Sequence, residues 1–137
     1  MTNLEPTKIP YKMLSMDPFS QWLGIEILEV KTGYCKLGMR IRQDMLNSMQ
    51  KAHGGIAYAL ADTAFGFAAN THGKYSVSIE TSINHIEALQ EGDNLIAETQ
   101  LDLTKNKLGF NYVNLTCKDK IVAIFKGVVY RTSKEWE

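Results

Sequence analysis

The sequence predicts an α+β fold in which a curved antiparallel sheet wraps around one long central helix. Two observations carry that prediction. The segment from Gly54 to Asn70 is almost wholly apolar or small, with alanine at six positions, and alanine both favours helix and lets a sheet approach closely. Around it lie alternating apolar and polar stretches with the two-residue period of strands, two before the helix and four after it. One helix cannot cover both faces of a flat sheet, so the sheet has to curve around it.

The elements follow in order. At 137 residues the chain reads as one domain, 1–137, with residues 1–10 as a loose leader marked by Pro6 and Pro10. Tyr11 to Ser20 carries Met13, Leu14 and Met16 before Asp17-Pro18 interrupts it, which predicts a short helix. Ile25 to Val30 and Tyr34 to Ile41, separated by Lys31-Thr32-Gly33, predict a hairpin. Cys35, Leu37, Met39 and Ile41 form its buried face. Gln43 to Lys51 is a polar loop holding Asn47. The helix is expected from about Gly54 to Asn70, with Asn70 and Gly73 suited to its end. Then Val77–Ile86, Leu95–Leu103, Phe110–Cys117 and Ile121–Tyr130 alternate as strands. The intervening turns predict that these four are antiparallel neighbours in sequence order. The last strand is apolar on both faces, which fits either a central strand or one buried between chains.

Composition narrows the function. Fifteen basic and fifteen acidic residues give a formal net charge of zero. No basic run stands out, which argues against nucleic acid and anionic membrane as partners. Cys35 and Cys117 show no metal-ligand spacing and predict buried reduced thiols. Nor do His53, His72 and His85 share such a spacing, so no metal is expected. The first ten residues lack a basic region followed by an apolar one, and the apolar helix is too short for a bilayer. Both predict a soluble cytoplasmic protein.

Asp62 is the anomaly. A helix apolar on every side predicts burial on every side, and an ionised carboxylate there costs about several kcal/mol unless paired. Such acids concentrate at functional sites. Asn47 in the preceding loop, His53-Gly54-Gly55 at the helix start and Ser78 on the following strand complete the candidate constellation. A helix start offers free N–H groups and the positive end of the dipole, and glycines let a substrate oxygen come close. A carbonyl docked there would have its developing negative charge stabilised while a carboxylate attacks it or activates water. Gly54 and Asp62 lie eight residues apart, roughly 12 Å along one helix. If both serve one carbonyl, they come from two chains, and a twofold dimer carries two sites. Each residue also has an ordinary alternative. Gly54-Gly55 suits a tight helix entry, His53 a cap, Asn47 a loop, Ser78 a strand hydroxyl, and Asp62 a structural acid.

At these residues the sequence resembles the hotdog-fold acyl-CoA thioesterases, and among them the phenylacetate-degradation (PaaI-type) subfamily. The matching residues are Asp17 with Ser20 and Leu23-Gly24-Ile25, Met45-Leu46-Asn47, His53-Gly54-Gly55, Leu60-Ala61-Asp62-Thr63-Ala64-Phe65, Ala69-Asn70, Gly92-Asp93 and Val122-Ala123-Ile124-Phe125-Lys126-Gly127. The resemblance implies a hotdog fold, a homodimer assembling to a homotetramer, and hydrolysis of acyl-CoA without metal or cofactor; coenzyme A is part of the substrate. It implies that Asp62 is nucleophile or general base, that Gly54 donates its N–H to the thioester carbonyl, and that Asn47 and His53 position the substrate. Gly55, Thr63, Ser78 and His85 are implied substrate contacts. The chain departs from the family pattern at Ser48, where a glycine is common, and across His85–Gln90, which lacks the usual proline and puts a histidine where an aromatic or aliphatic residue is common. That segment bears on the acyl group, for which aryl-acetyl or medium acyl is expected. Two other activities fit the fold: acyl-CoA binding without hydrolysis, and hydration or dehydration. Thiol release separates hydrolysis from both.

Overall fold

Three prolines shape the start of the chain. In the computed structural model, which describes residues 4–137, Pro6 opens a 3₁₀ turn, Pro6–Lys8. Pro10 sits in the first turn of helix α1, Ile9–Ser15, and Pro18 begins helix α2, Pro18–Leu23. A proline costs nothing where the helix has no partner for its N–H. The loose leader is therefore corrected. Ile9 is fully buried and anchors this region to the core, while residues 1–3 lie outside the described residues. Asp17-Pro18 starts a second helix rather than ending a single one. The Asp17 carboxylate accepts the Ser20 N–H at 3.0 Å, and Gly24 ends the helix at φ 75°.

Strands β1 (Glu26–Lys31) and β2 (Tyr34–Arg40) form the expected hairpin, with Cys35, Leu37 and Met39 buried. Helix α3 runs from Gly54 to Asn70, the predicted bounds. Strands β3 (Lys74–His85), β4 (Asn94–Lys105), β5 (Leu108–Cys117) and β6 (Lys120–Glu135) follow. The six strands among the described residues form one antiparallel sheet in the order β1-β2-β4-β5-β6-β3. This is the hotdog fold, a long helix packed in the hollow of a curved sheet. Leu60, Ala61, Ala64, Phe65 and Ala68 of α3 meet Leu37, Leu95, Val113, Leu115 and Phe125 of the sheet. The far end of the Phe65 ring packs against Gly127, where an added Cβ would come within 2.7 Å of it.

Two expectations are corrected here. First, β3 does not pair with β4. The residues from 86 to 93 carry the chain across the end of the sheet, so β4 pairs with β2 and β3 pairs with β6. The crossing is held by Ile86 and Glu87, whose N–H groups both donate to the Val122 carbonyl at 2.8 and 3.1 Å, and by buried Leu89. The turns β4–β5 and β5–β6 behave as predicted because two-residue turns permit nothing else. β6 is thus an inner strand, yet Ile121 and Ile124 remain exposed on it.

Second, α3 is not covered all round. Tyr58, Ala59, Asp62, Thr63 and Gly66 are half-buried and share one stripe at helical spacing. A methyl group on Gly66 would meet nothing within 4 Å. The stripe adjoins β3, to which the Tyr58 hydroxyl is hydrogen-bonded through Thr81. β3 is one of the sheet's two edge strands among the described residues, and Val77 and Ile79 on it are 52% and 57% exposed.

Candidate active site

The start of α3 is arranged so that one backbone donor is left over. His53, at φ −58° and ψ 136°, is the N-cap. Its ring Nδ1 accepts the Gly55 N–H at 2.9 Å, and its carbonyl accepts the Ile56 N–H at 2.9 Å. The Gly54 N–H has no acceptor among the described residues. With Nδ1 accepting, the neutral imidazole carries its proton on Nε2.

Asn47 is oriented by the same logic. Its Oδ1 accepts from the Met49 and Lys51 N–H groups at 2.8 and 3.2 Å. Its backbone N–H donates to the Lys51 carbonyl at 2.7 Å, and a bridge between Leu46 and Ala52 closes the loop. The amide oxygen is thereby consumed, and the NH₂ has no acceptor among the described residues.

Asn47, His53, Gly54 and His85 line one cavity of about 300 Å³. His85, at the end of β3, stands over Gly54, its Nε2 3.4 Å from where a Cβ on Gly54 would sit. The 86–89 crossing and the start of β6 supply the remaining wall. Lys51 and Glu87 also face this cavity. Glu87 is not legible as a wall residue in the sequence, because only the crossing brings the segment after β3 back over the helix start, and Lys51 reads there as an ordinary charge of the loop before α3. Lys51 Nζ donates to Gln90 Oε1 at 3.1 Å across the rim.

The remaining candidates lie elsewhere. Gly55 faces a second hollow beside α2. Asp62 is on the half-open stripe, with no hydrogen bond or ion pair among the described residues. Burial pushes its carboxyl above the ordinary aspartate value. Thr63 lies beside it and donates its hydroxyl to the Ala59 carbonyl at 2.8 Å. Ser78 is exposed on β3, opposite Val129. It is seven residues before His85, roughly 23 Å along the strand. Within one chain Asn47, His53 and Gly54 meet at the helix start, joined by His85, while Asp62 and Ser78 lie away from it.

Among the described residues no group of three or more His, Cys, Asp or Glu side chains is placed to hold a metal. Cys35 and Cys117 are buried free thiols, the first pushed up to about 12 by burial. No helix among the described residues is long and apolar enough to cross a membrane.

The model of the thioesterase superfamily matches residues 49–124, more than half of the chain and the whole of the helix start and Asp62 stripe. The chain belongs to the thioesterase superfamily. Its relatives there include a putative esterase of Archaeoglobus fulgidus, 37% identical over 125 residues, which span 90% of this chain and 81% of the relative. The acyl-coenzyme A thioesterase PaaI of Escherichia coli is 31% identical over 122 residues, 88% of this chain and 87% of that one. The solved structure of the E. coli PaaI protein from the phenylacetic acid degradation operon superposes with a TM-score of 0.92 at 29% identity, covering 96% of both chains. This hotdog thioesterase-superfamily chain is therefore closely related to the PaaI type.

Proposed function

We propose that the protein hydrolyses an acyl-CoA thioester to the free acid and coenzyme A, at sites completed by a second copy of the chain. The observation that carries this reading is the pairing of a free donor with a free acid that cannot reach each other. The Gly54 N–H is unpaired in a cavity, and Asp62 is unpaired on an open stripe roughly 12 Å further along the same helix. Reacting groups need contact at about 3 Å. The open stripe adjoins a sheet edge that carries exposed Val77 and Ile79, and a long apolar edge is a template for pairing. Pairing β3 with β3 of a second copy across a twofold axis covers the stripe and the edge together.

In that dimer the thioester carbonyl accepts from the Gly54 N–H, helped by the dipole of α3. The Asn47 NH₂ and the His53 Nε2–H position the substrate around it. Asp62 of the partner subunit attacks the carbonyl carbon directly or takes a proton from a water that does so. The tetrahedral oxyanion rests on Gly54 and collapses with cleavage of the C–S bond. The thiolate leaves and takes up the proton that Asp62 drew from water, which completes coenzyme A; on the direct-attack route the acyl–Asp62 anhydride is then cleaved by water, which frees the acid and restores the carboxylate. Thr63 and Ser78 flank the acid, and His85 faces the carbonyl. The relationship to PaaI supports an aryl-acetyl or medium acyl group. Exposed Leu103, Phe110 and Tyr112 on the outer sheet face offer a surface for a second dimer, giving a tetramer. Two free thiols suit the cytoplasm.

Mixed dimers test the shared site. Asp62→Asn and Asn47→Ala chains are each expected to be weak alone in a thiol-release assay. Refolded together in equal amounts, half of the dimers are mixed and each mixed dimer regains one intact site, so activity recovers to about a quarter of wild type. No recovery, with mixed dimers present by mass, refutes the shared site. No thiol release by the wild type across aromatic and aliphatic acyl-CoAs refutes hydrolysis.

A further inference from the structure

The start of α3 has a hollow on each side, and the two share only His53. One is the cavity already described, with Gly54, Asn47, Lys51 and Glu87 in its wall. The other, about 350 Å³, lies on the Gly55 side and is walled by Phe19, Trp22, Met45, Leu46 and Ile56. Its one charged wall residue, Asp44, is already paired with Arg42 at 3.0 Å.

The aromatic pair in this second hollow is exposed yet fixed. Phe19 and Trp22 are 56% and 51% exposed. Their rings stack with centroids 6.1 Å apart at 26°. The Arg42 guanidinium lies 5.2 Å from the Trp22 ring, and Arg42 is itself held by Asp44 and by the Leu23 carbonyl at 3.1 Å. The six-residue α2 that carries both rings is fastened at each end, by Asp17 and by Gly24. Helices that short do not persist unaided. Two caps and a cation–π contact thus hold two rings in water rather than in the core. An exposed apolar hollow with a polar group at its edge is how a small-molecule site is built.

A thioester has two unlike arms. Seated with its carbonyl on the Gly54 N–H, at the ridge between the hollows, it places one arm on each side. We infer that the Phe19–Trp22 hollow receives the acyl arm, an apolar group of aryl size, and that the cavity beside Lys51 receives the pantetheine arm. The assignment rests on the hydrolase reading for the position of the carbonyl. A hollow of this volume is at the lower limit for small ligands, about 300 Å³, so it holds one arm and not both. Its continuity with Gly55 and His53, rather than with the β3 edge, favours substrate over a second copy as its occupant.

The test uses the full chain with Trp136→Phe, which leaves Trp22 as the single tryptophan. Phenylacetyl-CoA and phenylacetate are expected to change Trp22 emission, and coenzyme A alone is not. Phe19→Ala is expected to weaken phenylacetyl-CoA binding about tenfold to a hundredfold, and to lower the ratio of phenylacetyl-CoA to acetyl-CoA turnover about tenfold. Quenching by coenzyme A alone overturns the assignment, as does an equal loss on both substrates. A Phe19→Ala chain with an unchanged substrate profile but a weakened dimer gives the hollow to the second copy instead. If the wild type releases no thiol from any acyl-CoA, the hydrolase reading fails, while the emission measurements still decide which arm the hollow binds.

Discussion

The two ends of α3 treat their polar groups in opposite ways. At the last turn Asn70 fills all four bonding positions of its amide. Nδ2 donates to the carbonyls of Gly66 and Ser76 at 2.8 and 3.1 Å, and Oδ1 accepts from the Ser76 N–H and the Trp136 indole at 2.9 and 2.8 Å. Thr71 next to it donates to the Ala68 carbonyl at 2.6 Å and accepts the Gly33 N–H at 2.7 Å. At the first turn Gly54 and Asn47 each keep a donor without a partner, beside a cavity. Buried polar groups are almost always satisfied, so the last turn is what stability alone produces. The first turn departs from it where a ligand fits.

Substitutions put that contrast to the test. The largest effect is expected from Asp62→Asn, which should lower kcat about 10²–10⁴-fold in a thiol-release assay with the oligomer unchanged on gel filtration. Since the carboxylate is the working form and burial raises its pKa, wild-type kcat should fall on the acid side with a midpoint above the ordinary 3.8. Next, Asn70→Ala should cost about 2–4 kcal/mol of stability in urea titrations, because it strands several buried partners. Its kcat/KM should stay within about twofold of wild type. Gly54→Ala should do the reverse. Its added methyl finds His85 Nε2 at 3.4 Å, an ordinary contact, so the fold tolerates it. The methyl occupies the space over the free N–H, and kcat/KM should drop about tenfold with the melting temperature held or raised. An unstable Gly54→Ala or a catalytically dead Asn70→Ala would erase the contrast.

The smallest effect concerns the stability of Asp62 itself. Its folded pKa is raised, so the folded chain binds a proton more tightly than the unfolded chain. The stabilisation this gives is full below the unfolded value near 3.8 and is lost as pH rises through the folded value. Asp62→Asn should therefore melt above wild type at pH 7 and level with it below pH 3.8, a gain of a few degrees at most. Equal melting curves at both pH values would mean that the acid is not strained by burial.

Much of this was legible in sequence, and the failures have particular causes. The bounds of α3 were readable because His53-Gly54 and Asn70 punctuate an unbroken apolar run. The β4–β5 and β5–β6 pairings followed from two-residue turns. The β3–β4 pairing did not hold, because eight residues can turn back or cross the sheet, and local pattern does not distinguish these. Asp62 was visible as an anomaly, but the open stripe around it was not, since composition shows that a helix is apolar and not which side the sheet leaves bare. Phe19 and Trp22 are not legible as a site despite their three-residue spacing, because Asp17-Pro18 can end one helix as readily as begin another and only the structure shows that it begins one. His85 was visible only as a departure from a family pattern; its place over Gly54 depends on the strand register.

The strand order has a consequence for how the chain is made. β3 is synthesised directly after α3, yet its one neighbour among the described residues, β6, is the last strand to be completed. The β4-β5-β6 meander can form from local turns as it emerges, whereas β3 must wait for a contact some forty residues away, the kind of closure that slows folding. During that wait a twelve-residue strand with exposed Val77 and Ile79 is open along both edges. A chain cut short before Lys120 would then not be a smaller version of the protein but an unpaired strand seeking other chains.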